Sequence, residues 1–266
     1  MADSSRYTSL EALTRKHGIV CSPPSGIDVE AIIILAVREI IGLDNVKAAS
    51  RMNKRVVIFV STVHMVAQIV EHGLFFAPDV FVQVLDGLYV GNIRDSTDKE
   101  ALQANNITHV LSIHDTAREA LEGITYLCIQ AVDTPYQNIT QHFKECIHFI
   151  HSCRLDGKCC LVHCLAGVSR SVTVVVAYMM TVTELTWEEA MFAVKAVRSC
   201  ANPNLGFQHQ LQIFQVTDLT EMRKWLRREF KESPYEDEKT ARQLMLCYMD
   251  QKRQEERLIL GQQDSV

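Results

Sequence analysis

Apolar and polar positions alternate differently in two regions of this 266-residue chain. In the first, Gly18–Cys21 is a short β-type run stopped by Ser22-Pro23-Pro24. Asp28 then heads the apolar segment Val29–Ile41, closed by Gly42, which reads as a helix. Val46–Met52 and Arg55–Val60 read as strands, and Thr62–Glu71 as a second helix ending before Gly73. That order is the order of a small ferredoxin-like α+β module, placed at residues 1–78.

From residue 81 strands and helices interleave. Val82–Leu85 and Leu88–Val90 flank the turn Asp86-Gly87, and Asp98–Asn105 is a polar helix punctuated by Ala and Leu. Ile107–Ile113 and Ile124–Val132 read as strands, and Phe143–Cys153 as an amphipathic helix with Ile147, Phe149 and Ile150 inward. Lys158–His163 is a further strand, followed at once by a helix from Ser171 to about Thr183. Thr186 and Glu189 have the spacing of a capping box that opens the next helix. This pattern predicts an α/β domain over residues 81–233, with a largely parallel central sheet and helices on both faces. Residues 234–266 are highly charged, with one apolar patch (Leu244, Met245, Leu246, Tyr248, Met249), and read as a peripheral helix or tail.

Composition narrows the function classes. With 27 Lys plus Arg against 32 Asp plus Glu, the net charge is -5, which argues against coating nucleic acid or an anionic membrane. The first 80 residues hold eight basic and eight acidic side chains, and their candidate strands carry only one aromatic, Phe59. RNA-binding sheets use several exposed aromatics for stacking, so no nucleic-acid partner is expected. The longest apolar runs, Ala31–Val37 and Val172–Met180, fall far short of the roughly 18–20 residues that cross a bilayer. Nine cysteines and no apolar leader fit a reducing compartment, with thiols buried or one serving as a nucleophile. Cytoplasmic, or alternatively nuclear, residence is the expectation.

The chemistry concentrates in His163-Cys164-Leu165-Ala166-Gly167-Val168-Ser169-Arg170-Ser171, where a buried strand ends and an apolar helix begins. Ligands of open α/β sheets bind outside the carboxyl ends of strands. A loop there wraps its backbone N–H groups around an anion, and the helix adds its positive end. Gly167 permits the tight backbone that such a cradle needs. Arg170 can grip two phosphate oxygens with its planar fork, while the same positive field favours the thiolate of Cys164. Asp133, before Pro135 in a stiffened loop upstream of the cradle, is the candidate proton donor. Cys159, Cys160, His163 and Cys164 alternate along a strand and do not converge, so no metal and no other cofactor is expected.

These residues resemble the signature of the cysteine-dependent protein tyrosine phosphatases, His-Cys-x5-Arg-Ser/Thr, and the match is complete. The resemblance covers about residues 82–233, a length that fits the dual-specificity branch rather than the larger tyrosine-specific enzymes. Gly87–Asn92, Leu127-Cys128-Ile129, His142–Glu145 and Ala201–Phe207 are similar to the small atypical dual-specificity phosphatases numbered fifteen and twenty-two. The resemblance implies hydrolysis of phosphotyrosine and of phosphoserine or phosphothreonine through a cysteinyl-phosphate. Cys164 is then the nucleophile, residues 165–170 the phosphate-binding loop, Asp133 the general acid, and Ser171 the hydroxyl that steadies the leaving thiolate. His163 and Asn204 are implied as supports of the loop, although a turn at a helix start accounts for Asn204 equally well. Phosphoprotein substrates, and by resemblance kinases of the Jun-kinase pathway, are the implied partners. The relatives carry a myristoylated Met-Gly before their first strand, whereas here that position is internal, so no stable membrane anchor is expected. The first module is similar to retroelement gag-like proteins with RNA-recognition folds. A non-catalytic phosphoprotein-binding scaffold, an RNA-associated protein led by that module, and a phosphoinositide or RNA phosphatase are the alternatives. Neutral Leu165, Ala166 and Val168 disfavour the last.

Overall fold

The computed structural model describes residues 18–21, 46–52, 55–60, 81–230 and 232–263. The chain divides into two units, Met1–Phe76 and Ala77–Val266. In the first, strands β1 (Gly18–Cys21), β2 (Val46–Met52) and β3 (Arg55–Val60) form an antiparallel sheet in the order β1-β3-β2. The centre goes to β3, whose Val56-Val57-Ile58-Phe59-Val60 run is the most apolar and β-branched of the three. The two helices expected at residues 29–41 and 62–71 lie outside the described residues.

The second unit is built on a five-stranded sheet of β4 (Val82–Leu85), β5 (Leu88–Gly91), β6 (Ile107–Ile113), β7 (Thr125–Ile129) and β8 (Cys159–His163). The strand order is β4-β5-β8-β6-β7. Only the β4–β5 hairpin is antiparallel; the other neighbours run parallel. All four parallel strands therefore end on one edge of the sheet. The central strand β8 carries Cys160, Leu161, Val162 and His163 buried in succession, the near-continuous apolar run of a strand covered on both faces.

Among the described residues seven α-helices accompany the sheet: α1 (Lys99–Ala104), α2 (Phe143–Leu155), α3 (Arg170–Val182), α4 (Trp187–Val197), α5 (Leu205–Thr217), α6 (Leu219–Glu229) and α7 (Asp237–Gln263). On one face Leu102 of α1 packs with Ile107, Val110, Leu161 and Phe81. On the other, Val90, Leu111 and Val162 meet the larger core of α2 through α6. Every residue of α3 from Arg170 to Thr181 is buried, so its apolar run is the middle of the core. Among the described residues, no helix is long and apolar enough to cross a membrane. Thr186 and Glu189 form the reciprocal capping box at the start of α4.

One segment differs from the sequence reading, and one of two open readings is decided. The strand expected at Ile124–Val132 stops at Ile129, because its neighbour β6 ends at Ile113. Ala131 N–H still donates to His114 O at 3.3 Å, but Val132 N–H turns to the Gln137 side chain at 3.2 Å, and Asp133 is released into a loop. The charged carboxyl-terminal segment is helix α7, and its first residue is tied into the core. Arg154, 1 % exposed, pairs both terminal nitrogens with the Asp237 carboxylate at 2.8 and 2.7 Å and donates to Tyr178 Oη at 2.6 Å and Asp86 O at 2.7 Å. Its guanidinium also lies 4.3 Å from the Tyr235 ring. A buried charge is tolerated where each of its nitrogens has an acceptor and a carboxylate faces it in this way. Farther along, Tyr248 of α7 stacks on Phe192 of α4 at 5.3 Å.

Candidate active site

The carboxyl ends of the four parallel strands supply the site: Asn92 and Ile93 after β5, Cys164 after β8, His114 and Asp115 after β6, and Asp133 beyond β7. Between β8 and α3 the chain makes a loop whose carbonyl oxygens are claimed from outside one after another. His163 Nδ1–H donates to Cys164 O at 3.2 Å, Ile93 N–H to Leu165 O at 3.1 Å, and Asn202 N–H to Val168 O at 2.9 Å. Arg198 donates from Nη2 to Ala166 O at 3.3 Å and from Nε to Gly167 O at 2.6 Å. A trans peptide plane carries its C=O and the following N–H in opposite directions. Five successive carbonyls held by the surrounding protein therefore turn the amides of residues 165–169 the other way, into a common concavity. Gly167 makes the turn possible with φ +68°; a Cβ there would strike Gly91 O and the Arg198 guanidinium.

Cys164 sits at the floor, 1 % exposed. Its Sγ accepts hydrogen bonds from Gly167 N–H at 3.2 Å and Ser171 Oγ at 3.3 Å. Arg170, in the first turn of α3, is buried rather than extended into solvent. It donates from Nη1 to Ala131 O at 3.1 Å, while its Nε lies 3.5 Å from Asp133 Oδ2. That Nε is buried with no hydrogen-bond acceptor among the described residues. Asp115 Oδ1 lies 3.9 Å from Arg170 Nη1.

Asp133 is fixed by donors from two elements. Ser169 Oγ and Asn204 Nδ2 both donate to its Oδ1, at 2.7 and 2.8 Å. Asn204 also caps α5, its Oδ1 accepting from Phe207 N–H at 3.0 Å, and its own N–H donates to Ser169 Oγ at 3.1 Å. One side chain thus caps α5 and reaches Asp133. Behind the loop, Gly206 lets α5 touch the backbone of Pro135, since a Cβ would fall on Pro135 O and Cα. Gln210 accepts from Ile139 N–H at 2.8 Å and donates to Gln137 O at 2.8 Å, closing the brace.

Burial pushes the His163 imidazole down to about 4, so the ring is neutral near pH 7 and its Nδ1 proton is committed to the Cys164 carbonyl. His114 packs 5.8 Å from it and is also pushed down, first by burial and then by the Arg170 charge. His163 is thus a neutral donor inside the structure, with no free face for proton exchange.

The loop, a buried arginine and a tethered aspartate thus meet around one thiol at one sheet edge. The family model described as dual specificity phosphatase, catalytic domain, matches residues 88–217. Dual specificity protein phosphatase 22 of Mus musculus is 60 % identical over 163 residues, covering 61 % of this chain and 89 % of the relative. The chain belongs to the dual-specificity phosphatase family. Dual specificity protein phosphatase 15 of Mus musculus is 52 % identical over 166 residues, 62 % of this chain and 71 % of that protein. The crystal structure of DUSP15 superposes with a TM-score of 0.57 and 49 % identity, covering 59 % of this chain and all of the DUSP15 chain. The protein is accordingly an atypical dual-specificity protein phosphatase, a phosphoric monoester hydrolase.

Every site residue singled out in the sequence of this phosphatase lies in one neighbourhood. Sequence reasoning missed Arg198, Asp115 and the brace of Gly206 and Gln210. Asp115 carried a usable signal, because it follows a parallel strand at the same sheet edge as Cys164. Arg198 carried none: an arginine after an amphipathic helix is ordinary, and only its reach to the loop carbonyls distinguishes it.

Proposed function

We propose that this phosphatase hydrolyses phosphotyrosine and phosphoserine or phosphothreonine in proteins through a phosphoryl intermediate on Cys164. The observation that carries the reading is the outward tethering of five consecutive loop carbonyls around a thiol that already accepts two hydrogen bonds. In the first step Cys164 Sγ attacks phosphorus, the S–P bond forms and the P–O bond to the leaving group breaks. The loop amides and Arg170 hold the equatorial oxygens, where the transition-state charge spreads. Arg170 Nε, buried with no hydrogen bond and 3.5 Å from Asp133 Oδ2, is a donor open to a phosphoryl oxygen. Asp133 in its acid form gives its proton to the departing alkoxide or phenoxide. In the second step Asp133 takes a proton from water, water oxygen attacks phosphorus, and the S–P bond breaks to release inorganic phosphate. Ser171 Oγ, already 3.3 Å from Sγ, donates to the departing thiolate. Charge is balanced by amides and guanidinium, so the scheme requires no metal or other cofactor.

Around this chemistry we place a ferredoxin-like, gag-like module at residues 1–78, the catalytic domain at 81–233 and a charged helical segment at 234–266. The three antiparallel strands of the first unit support its part of this layout. The substrates are phosphoproteins. Resemblance to phosphatase 22 favours components of the Jun-kinase pathway as partners and the cytoplasm or nucleus as location. Hydrolysis of a small aryl phosphate, a phosphotyrosine peptide and a phosphothreonine peptide should be abolished by Cys164→Ser while phosphate binding persists. Turnover retained in that variant would refute the assignment.

A further inference from the structure

Seven large apolar side chains stand exposed among the described residues, and four of them lie on segments that also carry site residues. Val132 (45 % exposed) and Tyr136 (96 %) flank Asp133 on its own loop. Leu205 (71 %) is the first residue of α5, and Ile93 follows β5, its N–H bonded to Leu165 O in the cradle. Single exposed apolar residues are common and mean little, whereas a cluster beside a site marks a recognition surface. Three of these four belong to the two segments that meet at Asp133. Val132 and Tyr136 lie on its loop, Leu205 follows Asn204, whose Nδ2 donates to Asp133 Oδ1 at 2.8 Å, and Gly206 lets α5 approach the Pro135 backbone. The loop cannot fold them away, because Gln210 holds it at Gln137 and Ile139.

The charge on this wall is equally one-sided. Residues 132–142 and 202–209 contain no lysine, arginine or glutamate, and Asp133 is their single carboxylate. Such a wall offers no countercharge to an acidic peptide and little to a basic one. What it offers is removal of apolar surface from water, at roughly 25 cal/mol per Å².

We propose that Tyr136, Leu205 and Val132 form a specificity subsite that takes a large apolar side chain flanking the phosphorylated residue of a protein substrate. The three residues lie on the two segments that hold Asp133, so they stand beside the group that serves a substrate whose phosphate lies over Cys164. The inference rests on the phosphoprotein reading of the site. Tyr136 and Leu205 would act on peptide binding alone, without touching the reacting atoms.

The test uses the full-length protein and a panel of phosphotyrosine peptides in which each flanking position carries Leu, Ser or Glu in turn. The wild type should prefer Leu over Ser and Glu at one flank by about tenfold in kcat/KM, the effect of burying one such side chain in part. In Tyr136→Ser combined with Leu205→Ser that preference should fall to nearly one, through KM, while a small aryl phosphate is hydrolysed as before. Equal rates for Leu, Ser and Glu peptides in the wild type, or a preference for Glu, would overturn the subsite and leave the phosphatase assignment standing. Hydrolysis of the aryl phosphate but of no peptide would overturn the protein-substrate reading and the subsite with it. A double variant that changes oligomeric state in sedimentation yet keeps the Leu preference would assign the patch to a second copy of the chain instead.

Discussion

Arg198 is the sharpest place to perturb the catalytic loop, because it touches neither substrate nor thiol. It is fully buried, and its Nε holds Gly167 O at 2.6 Å while Nη2 holds Ala166 O at 3.3 Å. Arg198→Met keeps much of the apolar volume and removes both donors. A charge-assisted hydrogen bond of the shorter kind contributes about 1.5–3 kcal/mol, and the longer one less. The carbonyls left behind are buried, so each either stays unpaired at a cost of about 1–3 kcal/mol or turns its peptide over. Turning either peptide takes the amide of Gly167 or Val168 out of the cradle. Loss of one preorganised donor to a developing oxyanion typically lowers kcat by about 100- to 1,000-fold. We expect Arg198→Met to lower kcat/KM for an aryl phosphate by about 100-fold and to weaken vanadate inhibition in parallel. Arg198→Lys, with one donor group in place of a fork, should fall between. Steady-state kinetics and vanadate titration, with thermal melting alongside, separate this from unfolding. A folded Arg198→Met variant with kcat/KM and vanadate affinity within about twofold of wild type would refute the claim that the outward tethers orient the amides.

Three further outcomes follow from other parts of the molecule. Gly206→Ala should press α5 off Pro135 and loosen Asp133, slowing hydrolysis of poor leaving groups more than that of p-nitrophenyl phosphate, as a leaving-group series would show. Asp237→Ala leaves the Arg154 charge buried without its carboxylate, and urea unfolding should show a loss of about 3–5 kcal/mol. The third outcome is pH-dependent. His163 binds a proton at about 4 when folded and near 6.5 when unfolded, so unfolding takes up a proton below pH 6.5. The His163 contribution should be constant above pH 6.5 and lost as pH falls toward 4, by about 2 kcal/mol at pH 5. Urea titrations at pH 7.5 and 5 check this: His163→Asn should remove that share of the loss and leave the share of His151, which burial also pushes down to about 4.

Much of this was legible in the sequence because it is local. Strands such as Ile107–Ile113 and the capping box of Thr186 and Glu189 are set by neighbouring residues, and the structure has them where the pattern puts them. The loop from Cys164 to Ser171 was equally readable, since its spacing encodes a single turn at the end of a buried strand. What escaped depends on distant partners. The end of β7 at Ile129 is decided by where β6 stops, and the anchoring of α7 by an arginine 83 residues away from Asp237. A charged stretch reads as a solvated surface until the buried partner of one of its carboxylates is known. Arg198 is hidden for the same reason, since its acceptors are backbone oxygens that carry no side-chain signature.

The most direct test of the account is the chemical identity of the intermediate. Acid quenching of full-length enzyme during turnover of a phosphotyrosine peptide, followed by peptide mass spectrometry, should find one phosphoryl group on Cys164. The group should accumulate when Asp133→Asn slows its hydrolysis and be missing in Cys164→Ser. Turnover with no phosphoryl group on Cys164, or a phosphoryl group on another residue, would contradict it.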